Sequence, residues 1–170
     1  FAERKIINVF AVFYRPRRFR MAYNLENFRV LVVDDNMPIR MLIRMLLLDL
    51  GVGQVDMAAD GLEGLELYHT LKPDIVMVDW RMDKMDGLTF AKTLRQSKDS
   101  AAQNVPILMM AGFSHQDKAT QAQDAGITDL LIKPFTVETL VEHIGQAIEK
   151  SSDPVQANDF ESAPIPLHTR

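Results

Sequence analysis

Four charged residues stand where they could act together on a phosphate group. Asp34 and Asp35 follow one short apolar run and Asp79 follows another, while Lys133 follows a third. Three carboxylates in one cleft repel one another, so they either take up protons or need a cation. Magnesium is the expected ion, because it binds through one or two carboxylates together with water and substrate phosphate. One carboxylate is then a nucleophile for phosphorus, and the lysine stabilises the phosphoryl oxygens.

The segments around these residues predict the sheet that brings them together. From Phe28 onwards, short apolar runs of strand length alternate with longer segments of helical period. Five alternations indicate a series of βαβ units, so we predict an α/β fold with a doubly wound, five-stranded parallel sheet and five helices. Binding sites in such sheets lie at the carboxyl ends of the strands. The predicted strands are residues 29–33, 54–58, 75–78, 107–110 and 129–132, and the predicted helices are 38–50, 61–71, 88–96, 114–125 and 137–150.

Composition and charge narrow the classes of function. The chain has 170 residues, of which 47% are apolar, enough for one domain with a core. It has no cysteine, which excludes disulfides, thiolate metal sites and cysteine nucleophiles. No run approaches the roughly 20 apolar residues of a membrane span. The net charge is −4, with +5 on residues 1–20 and −9 on the rest, so we expect no direct binding of nucleic acid.

The two ends of the chain differ in composition from the middle. Because the composition changes abruptly at Met21, we interpret residues 1–27 as a basic extension, either a linker or a stretch foreign to the natural protein. Contact with a membrane surface or an anionic partner is the alternative. Residues 28–150 form the predicted domain. Residues 151–170 are polar and interrupted by prolines, so we expect a disordered tail.

The sequence from about residue 28 to residue 150 resembles the response-regulator receiver family. The motifs that carry the resemblance stand in the family's order and at its spacing. They are V-L-V-V-D-D-N at 30–36, A-A-D-G-L-E-G-L at 58–65, P-D-I-V-M-V-D-W-R-M-D-K-M-D-G at 73–87, V-P-I-L-M-M at 105–110 and D-A-G-I-T-D-L-L-I-K-P-F at 124–135. The resemblance implies a flavodoxin-like fold of the receiver type.

The resemblance also implies a role for each charged residue. Asp79 is implied as the phosphoacceptor, with Lys133 as its catalytic partner that pairs with the phosphoryl group. Asp35 and Asp79 are implied as side-chain ligands of Mg²⁺, with Asp34 acting through water. The main-chain carbonyl of Arg81 is implied as the third protein ligand.

Partners and location follow from the same resemblance. A histidine kinase or a histidine phosphotransfer protein is the implied donor, and an unidentified downstream protein is the implied target. A homodimer through the fourth predicted helix, the fifth strand and the fifth predicted helix is left open. We expect a cytoplasmic signalling protein, not an enzyme, that catalyses only its own phosphorylation and dephosphorylation. The peptide bond between Lys133 and Pro134 is implied to be cis.

The family's switch residues are replaced in this chain. The fourth strand of the family ends in Thr or Ser, whose hydroxyl bonds the phosphoryl group, but Ala111 stands here. Leu130 stands where an aromatic residue that turns inward is common. Ser114 is a substitute hydroxyl only if the loop bends, and a helix N-cap is the alternative role.

Two bulky residues stand where the family tunes the access of water to the phosphoryl group. Arg81 lies two residues beyond Asp79, and Phe113 lies two residues beyond Ala111. They either shield the phosphoryl group or point into solvent. Asp83 replaces a proline that is common in this loop, a change we expect to affect only the stiffness of the loop.

Two other functions stay open from the sequence. A phosphohydrolase of the haloacid-dehalogenase type also uses a nucleophilic Asp and magnesium, but it needs a second Asp where this chain has Arg81. A pseudo-receiver that binds partners regardless of phosphorylation is favoured by Ala111 and Leu130. The intact charged set opposes that reading.

The first predicted helix carries Met37, Met41 and Met45 at i, i+4 and i+8 spacing. We interpret this row as part of the packed stripe of the helix, with a binding face as the alternative.

Overall fold

The computed structural model describes residues 25–112 and 119–150. The predictions on residues 1–24, on Phe113 and Ser114, and on the tail 151–170 lie outside the described residues. The five strands are β1 (Arg29–Val33), β2 (Gln54–Ala58), β3 (Ile75–Asp79), β4 (Ile107–Gly112) and β5 (Asp129–Lys133). The helices of the described residues are α1 (Met37–Asp49), α2 (Gly61–Leu71), α3 (Gly87–Arg95), α4 (Ser100–Asn104), α5 (Ala119–Asp124) and α6 (Val137–Lys150).

The strands form one parallel sheet in the order β2-β1-β3-β4-β5. The predicted doubly wound fold is therefore confirmed. Three strands run one or two residues further than the sequence pattern indicates, so that Asp79 and Lys133 are the last residues of their strands. The sequence reading missed α4, which Asp99 caps through its side chain. Five residues are too few to show a helical period.

Helices cover both faces of the sheet. On one face, Ile43 and Leu47 of α1 and Leu140 and Ile144 of α6 are buried in a shared apolar cluster with side chains of β1, β3, β4 and β5. On the other face, a second cluster contains residues of α2, α3, α4 and α5. The inner strands are buried on both sides, which is why they read as continuous apolar runs.

The register of the strands sets the height at which each strand end stands. Val33 pairs with Val78 across β1 and β3, so Asp34 follows at the height of Asp79. Asp79 pairs with Met110. Lys133 pairs with Gly112, two positions further along. Since β4 lies between β3 and β5, the side chain of Lys133 has to cross the end of β4 to reach the carboxylates.

The orientation of α1 differs from the interpretation of its methionines as core. Met37, Met41 and Met45 are 64%, 39% and 58% exposed, whereas Ile43 and Leu47 are fully buried. The methionine row is offset by two residues from the buried row, which is roughly 200° around a helix. Apolar residues occupy nearly the whole circumference of α1, so periodicity alone cannot decide which row faces the sheet.

At the amino edge of the sheet, residues that precede β1 already pack on the domain. Leu25 is buried, and its carbonyl oxygen accepts hydrogen bonds from the amides of Phe28 and Gly53. A Cβ atom at Gly53 would lie 1.8 Å from the carbonyl oxygen of Glu26, so only glycine fits there. None of the helices in residues 25–112 and 119–150 is both long and apolar enough to cross a membrane.

Candidate functional site

Lys133 joins two of the predicted carboxylates at the carboxyl edge of the sheet. Its Nζ lies 2.8 Å from Oδ2 of Asp34 and 2.7 Å from Oδ1 of Asp79. Asp34 is almost fully buried, and its Oδ1 also accepts a hydrogen bond of 2.8 Å from the amide of Asn36. The side chains of Asp79 and Lys133 are 15% and 23% exposed, so solvent still reaches this edge. The residues that end β1, β3 and β5 therefore meet as one charged group.

The environment shifts the proton affinity of the Asp79–Lys133 pair. Burial raises the pKa of Asp79 above its ordinary value of 3.8, and the hydrogen bond from Lys133 offsets part of that rise. Burial alone would lower the pKa of Lys133, but its hydrogen bonds to Asp34 and Asp79 outweigh burial and raise the pKa. Lys133 is therefore held in its charged form.

Asp35 lies beside this group but is not bound to Lys133. Its side chain is exposed, and its Oδ2 accepts a hydrogen bond of 3.3 Å from the amide of Asp83. A cavity of about 500 Å³ is lined by Asp35, Arg81, Met82, Asp83 and Asp86. The structure thus brings together Asp34, Asp79 and Lys133, with Asp35 on the open side of the site.

The loop after β3 is held against Asp79 by contacts that the sequence reading missed. The amide of Arg81 donates a hydrogen bond of 3.1 Å to Oδ2 of Asp79. A Cβ atom at Gly87 would lie 2.3 Å from the carbonyl oxygen of Asp79, so glycine is required where α3 begins. The side chain of Asp86 caps α3 by accepting from the amide of Thr89. Only the D-G pair at 86–87 signals this start in the sequence.

Two further contacts brace the site from α1 and α2. Arg40 donates a hydrogen bond to the main-chain oxygen of Asp34. Lys84, at a positive φ of 64°, forms an ion pair with Asp60, whose side chain caps α2. The amide of Asp83 donates a hydrogen bond to Asp35, and a proline at position 83 would have no N–H to donate. Asp83 in place of proline therefore adds a hydrogen-bond donor as well as changing the stiffness of the loop. No sequence spacing predicts these contacts, because they join separate elements.

The end of β4 carries no polar side chain toward the site. Ala111 is fully buried and pairs with Ile132 of β5. Leu130 is partly buried and packs against the apolar cluster on the α2 to α5 face. The peptide bond between Lys133 and Pro134 is cis, as the resemblance implies.

The carboxylates do not form a dense cluster. Within the described residues, no three His, Cys, Asp or Glu side chains come close enough together to hold a metal ion. Magnesium does not need such a cluster, because it binds through one or two carboxylates and keeps several waters. Asp35, Asp79 and the neighbouring main chain of Arg81 are oxygen donors of the kind that it prefers.

Comparison with known proteins points to one family. Residues 30–145 match the family described as the response regulator receiver domain. The chemotaxis protein CheY-3 of Vibrio cholerae is 32% identical over 125 residues, which cover 74% of this chain and 95% of the relative. The chemotaxis protein CheY of Pseudomonas aeruginosa is 32% identical over 122 residues, covering 72% of this chain and 97% of the relative.

Solved structures agree with these relatives. The chemotaxis response regulator CheY4 of Vibrio cholerae is 33% identical, with a TM-score of 0.65 over 71% of this chain and 98% of the other. A response regulator from Chloroflexus aurantiacus is 28% identical, with a TM-score of 0.67 over 72% of this chain and 98% of the other.

Proposed function

We propose, because the chain belongs to the response regulator receiver family, that Asp79 accepts a phosphoryl group from phosphohistidine of a histidine kinase or phosphotransfer protein. The chain is a receiver domain of two-component signalling. The observation that carries the proposal is the bridge from Lys133 to Asp34 and Asp79, at 2.8 and 2.7 Å.

The side chains suit an attack on phosphorus. One Oδ of Asp79 forms the new bond to phosphorus while the bond from phosphorus to the histidine nitrogen breaks, and the histidine keeps that electron pair. Lys133 stays protonated because its pKa is raised, so it can turn an N–H toward a phosphoryl oxygen. The amide of Arg81, 3.1 Å from Asp79, holds the carboxylate in place.

Magnesium would be held by Asp35, Asp79 and the main-chain oxygen of Arg81, with Asp34 acting through water. The bound ion would neutralise charge on the phosphoryl oxygens. One arrangement supports this assignment: Asp35 and Arg81 line the same cavity. The loop after β3 that contains Arg81 is held against Asp79 by the Arg81 amide.

Partners and location belong to the proposal as well. A downstream protein would read the phosphorylated form, and α5, β5 and α6 are the surface through which two copies would pair. A cytoplasmic location and the self-catalysed loss of the phosphoryl group stay predictions. The haloacid-dehalogenase alternative finds no support, because Arg81 stands at the position where that class of enzyme needs a second Asp. The amide of Arg81 donates a hydrogen bond to Asp79.

Phosphorylation by acetyl phosphate with magnesium tests the role of Asp79. We expect intact mass to show one added phosphoryl group on the wild type and none on Asp79→Asn. Asp56→Asn is the matched control, because Asp56 lies on edge strand β2 and pairs with Arg29 instead. A wild type that stays unmodified favours the pseudo-receiver, and equal labelling of Asp79→Asn would show a different acceptor.

Tryptophan fluorescence tests the magnesium site separately. Trp80 is the single tryptophan of the chain and follows Asp79 directly. We expect its emission to change on addition of magnesium, and Asp35→Asn to shift the titration to higher concentration. A titration that stays flat by fluorescence and by NMR argues against the site.

A further inference from the structure

One side of α1 presents an unusual amount of apolar surface. Of the six large hydrophobic side chains that are exposed among the described residues, five lie on α1: Met37, Met41, Leu42, Met45 and Leu48. We call these five the methionine face. At about 100° per residue they span roughly 140° of the helix. Arg40 and Arg44 border one edge of this arc, and the exposed Asp49 lies within it in the last turn. Several exposed apolar side chains on one side of a helix are typical of a surface that binds a partner.

Residues 151–170 follow α6, which packs on the same side of the sheet as α1. Each of these two helices follows a strand and returns from the carboxyl edge to the amino edge, so α6 ends at the edge where α1 ends. Twenty residues follow Lys150. The first ten of them can span about 33 Å when extended, more than the roughly 20 Å length of α1.

The sequence of residues 151–170 complements the methionine face in apolarity, and it complements in charge the edge of the face beside Arg40 and Arg44. It contains three acidic residues and one arginine, with Phe160 between Asp159 and Glu161. Val155, Ile165 and Leu167 add apolar side chains. The segment at the other end of the chain is a poor match, because residues 1–20 carry +5 and would meet Arg40 and Arg44.

We propose that residues 151–170 bind across the methionine face of α1, with Phe160 on the methionines and with Asp159 and Glu161 beside Arg40 and Arg44. Tethering makes a weak contact sufficient. A short flexible connection gives an effective concentration of about 1 mM, so a contact with a dissociation constant near 1 mM is about half formed. The bound segment covers the face and competes with any other protein that binds there. The proposal is independent of the phosphorylation of Asp79.

A spin label on the full-length chain tests this contact. Because the chain has no cysteine, Ser162→Cys gives one site for a nitroxide. The methyl groups of Met37, Met41 and Met45 are observed by ¹³C NMR, with Met82 and Met85 as internal references because they pack on the opposite face of the sheet. We expect strong broadening of the three α1 methyl signals and little broadening of the references.

A matched pair of variants sharpens the result. Phe160→Ser in the labelled chain should weaken the contact roughly tenfold and remove most of the broadening, as expected for an aromatic anchor. Asn158→Ser, two residues away, should leave the broadening unchanged. Equal broadening of all methionines, or no broadening on α1, would overturn the proposal. So would broadening that arises only between a labelled chain and a separate isotope-enriched chain, which would identify a second copy as the occupant.

Discussion

The strand ends at the carboxyl edge of the sheet fall into two kinds. The ends of β1, β3 and β5 supply Asp34, Asp79 and Lys133, which are hydrogen-bonded to one another. The end of β4, which lies between β3 and β5, supplies the fully buried Ala111. The groups proposed to receive a phosphoryl group are all present, whereas β4 ends, within the described residues, without a hydroxyl side chain. We therefore expect that accepting the group and responding to it are separable properties of this edge.

The largest expected effect comes from removing a charge from the group formed by Asp34, Asp79 and Lys133. Lys133→Met removes the donor between Asp34 and Asp79, and we expect phosphorylation by acetyl phosphate to slow by a factor of about 100. Lys72→Met is the matched control, because Lys72 pairs with Asp99 at the start of α4, away from Asp79. The rate of mass gain is the readout, with circular dichroism to check folding. Equal rates for both variants would remove Lys133 from the proposed mechanism.

The second prediction tests the end of β4 by placing a hydroxyl at position 111. A charge-assisted hydrogen bond contributes about 1.5 to 3 kcal/mol, so Ala111→Thr should increase the population of the switched state by roughly tenfold or more. Amide shift changes in β5 and α6 on phosphorylation measure the response, and the transfer rate should also rise. Ala111→Val is the matched control, since it has the same shape without the hydroxyl. If Thr and Val behave like the wild type, position 111 does not limit the switch.

A smaller effect is expected on stability from the raised pKa of Asp79. Between the ordinary pKa of 3.8 and the raised pKa, Asp79 holds a proton in the folded state that it has lost in the unfolded state, so stability falls as pH rises through this window. Asp79→Asn lacks this loss. We expect it to be more stable than the wild type at pH 7, because Asn carries no charge that burial penalises. Urea unfolding at several pH values measures the difference, which should shrink toward pH 3.5.

The smallest effect is expected on stability when the first residues of the chain are removed, because both kinds of strand end lie within residues 25–150. Removal of residues 1–20 should change the free energy of unfolding by less than about 0.5 kcal/mol. Leu25→Ala is the contrasting variant, because it empties a buried site and should cost about 2 kcal/mol or more. Thermal unfolding compares the two. A large loss on removal of 1–20 would show that this segment packs on the domain.

Much of the site could be predicted because the chemistry coincides with the ends of apolar runs. A strand buried on both faces must stop where charge begins, so Asp34, Asp79 and Lys133 mark their own strand ends. The extent of β4 was less predictable. Ala111 and Gly112 carry no polar side chain, and nothing in their sequence signals the end of a strand.

The sequence by itself determined the parallel α/β fold, the order of its strands along the chain and the set of charged residues at one edge, because hydrophobic period and strand-end position are local properties. Only the tertiary structure decided that Lys133 binds Asp34 and Asp79 and not Asp35, that the amide of Asp83 bonds Asp35, and that the methionines of α1 face outward. These outcomes depend on distances between elements and on the rotation of a helix that is apolar nearly all round. Such quantities are fixed when the layers pack against one another.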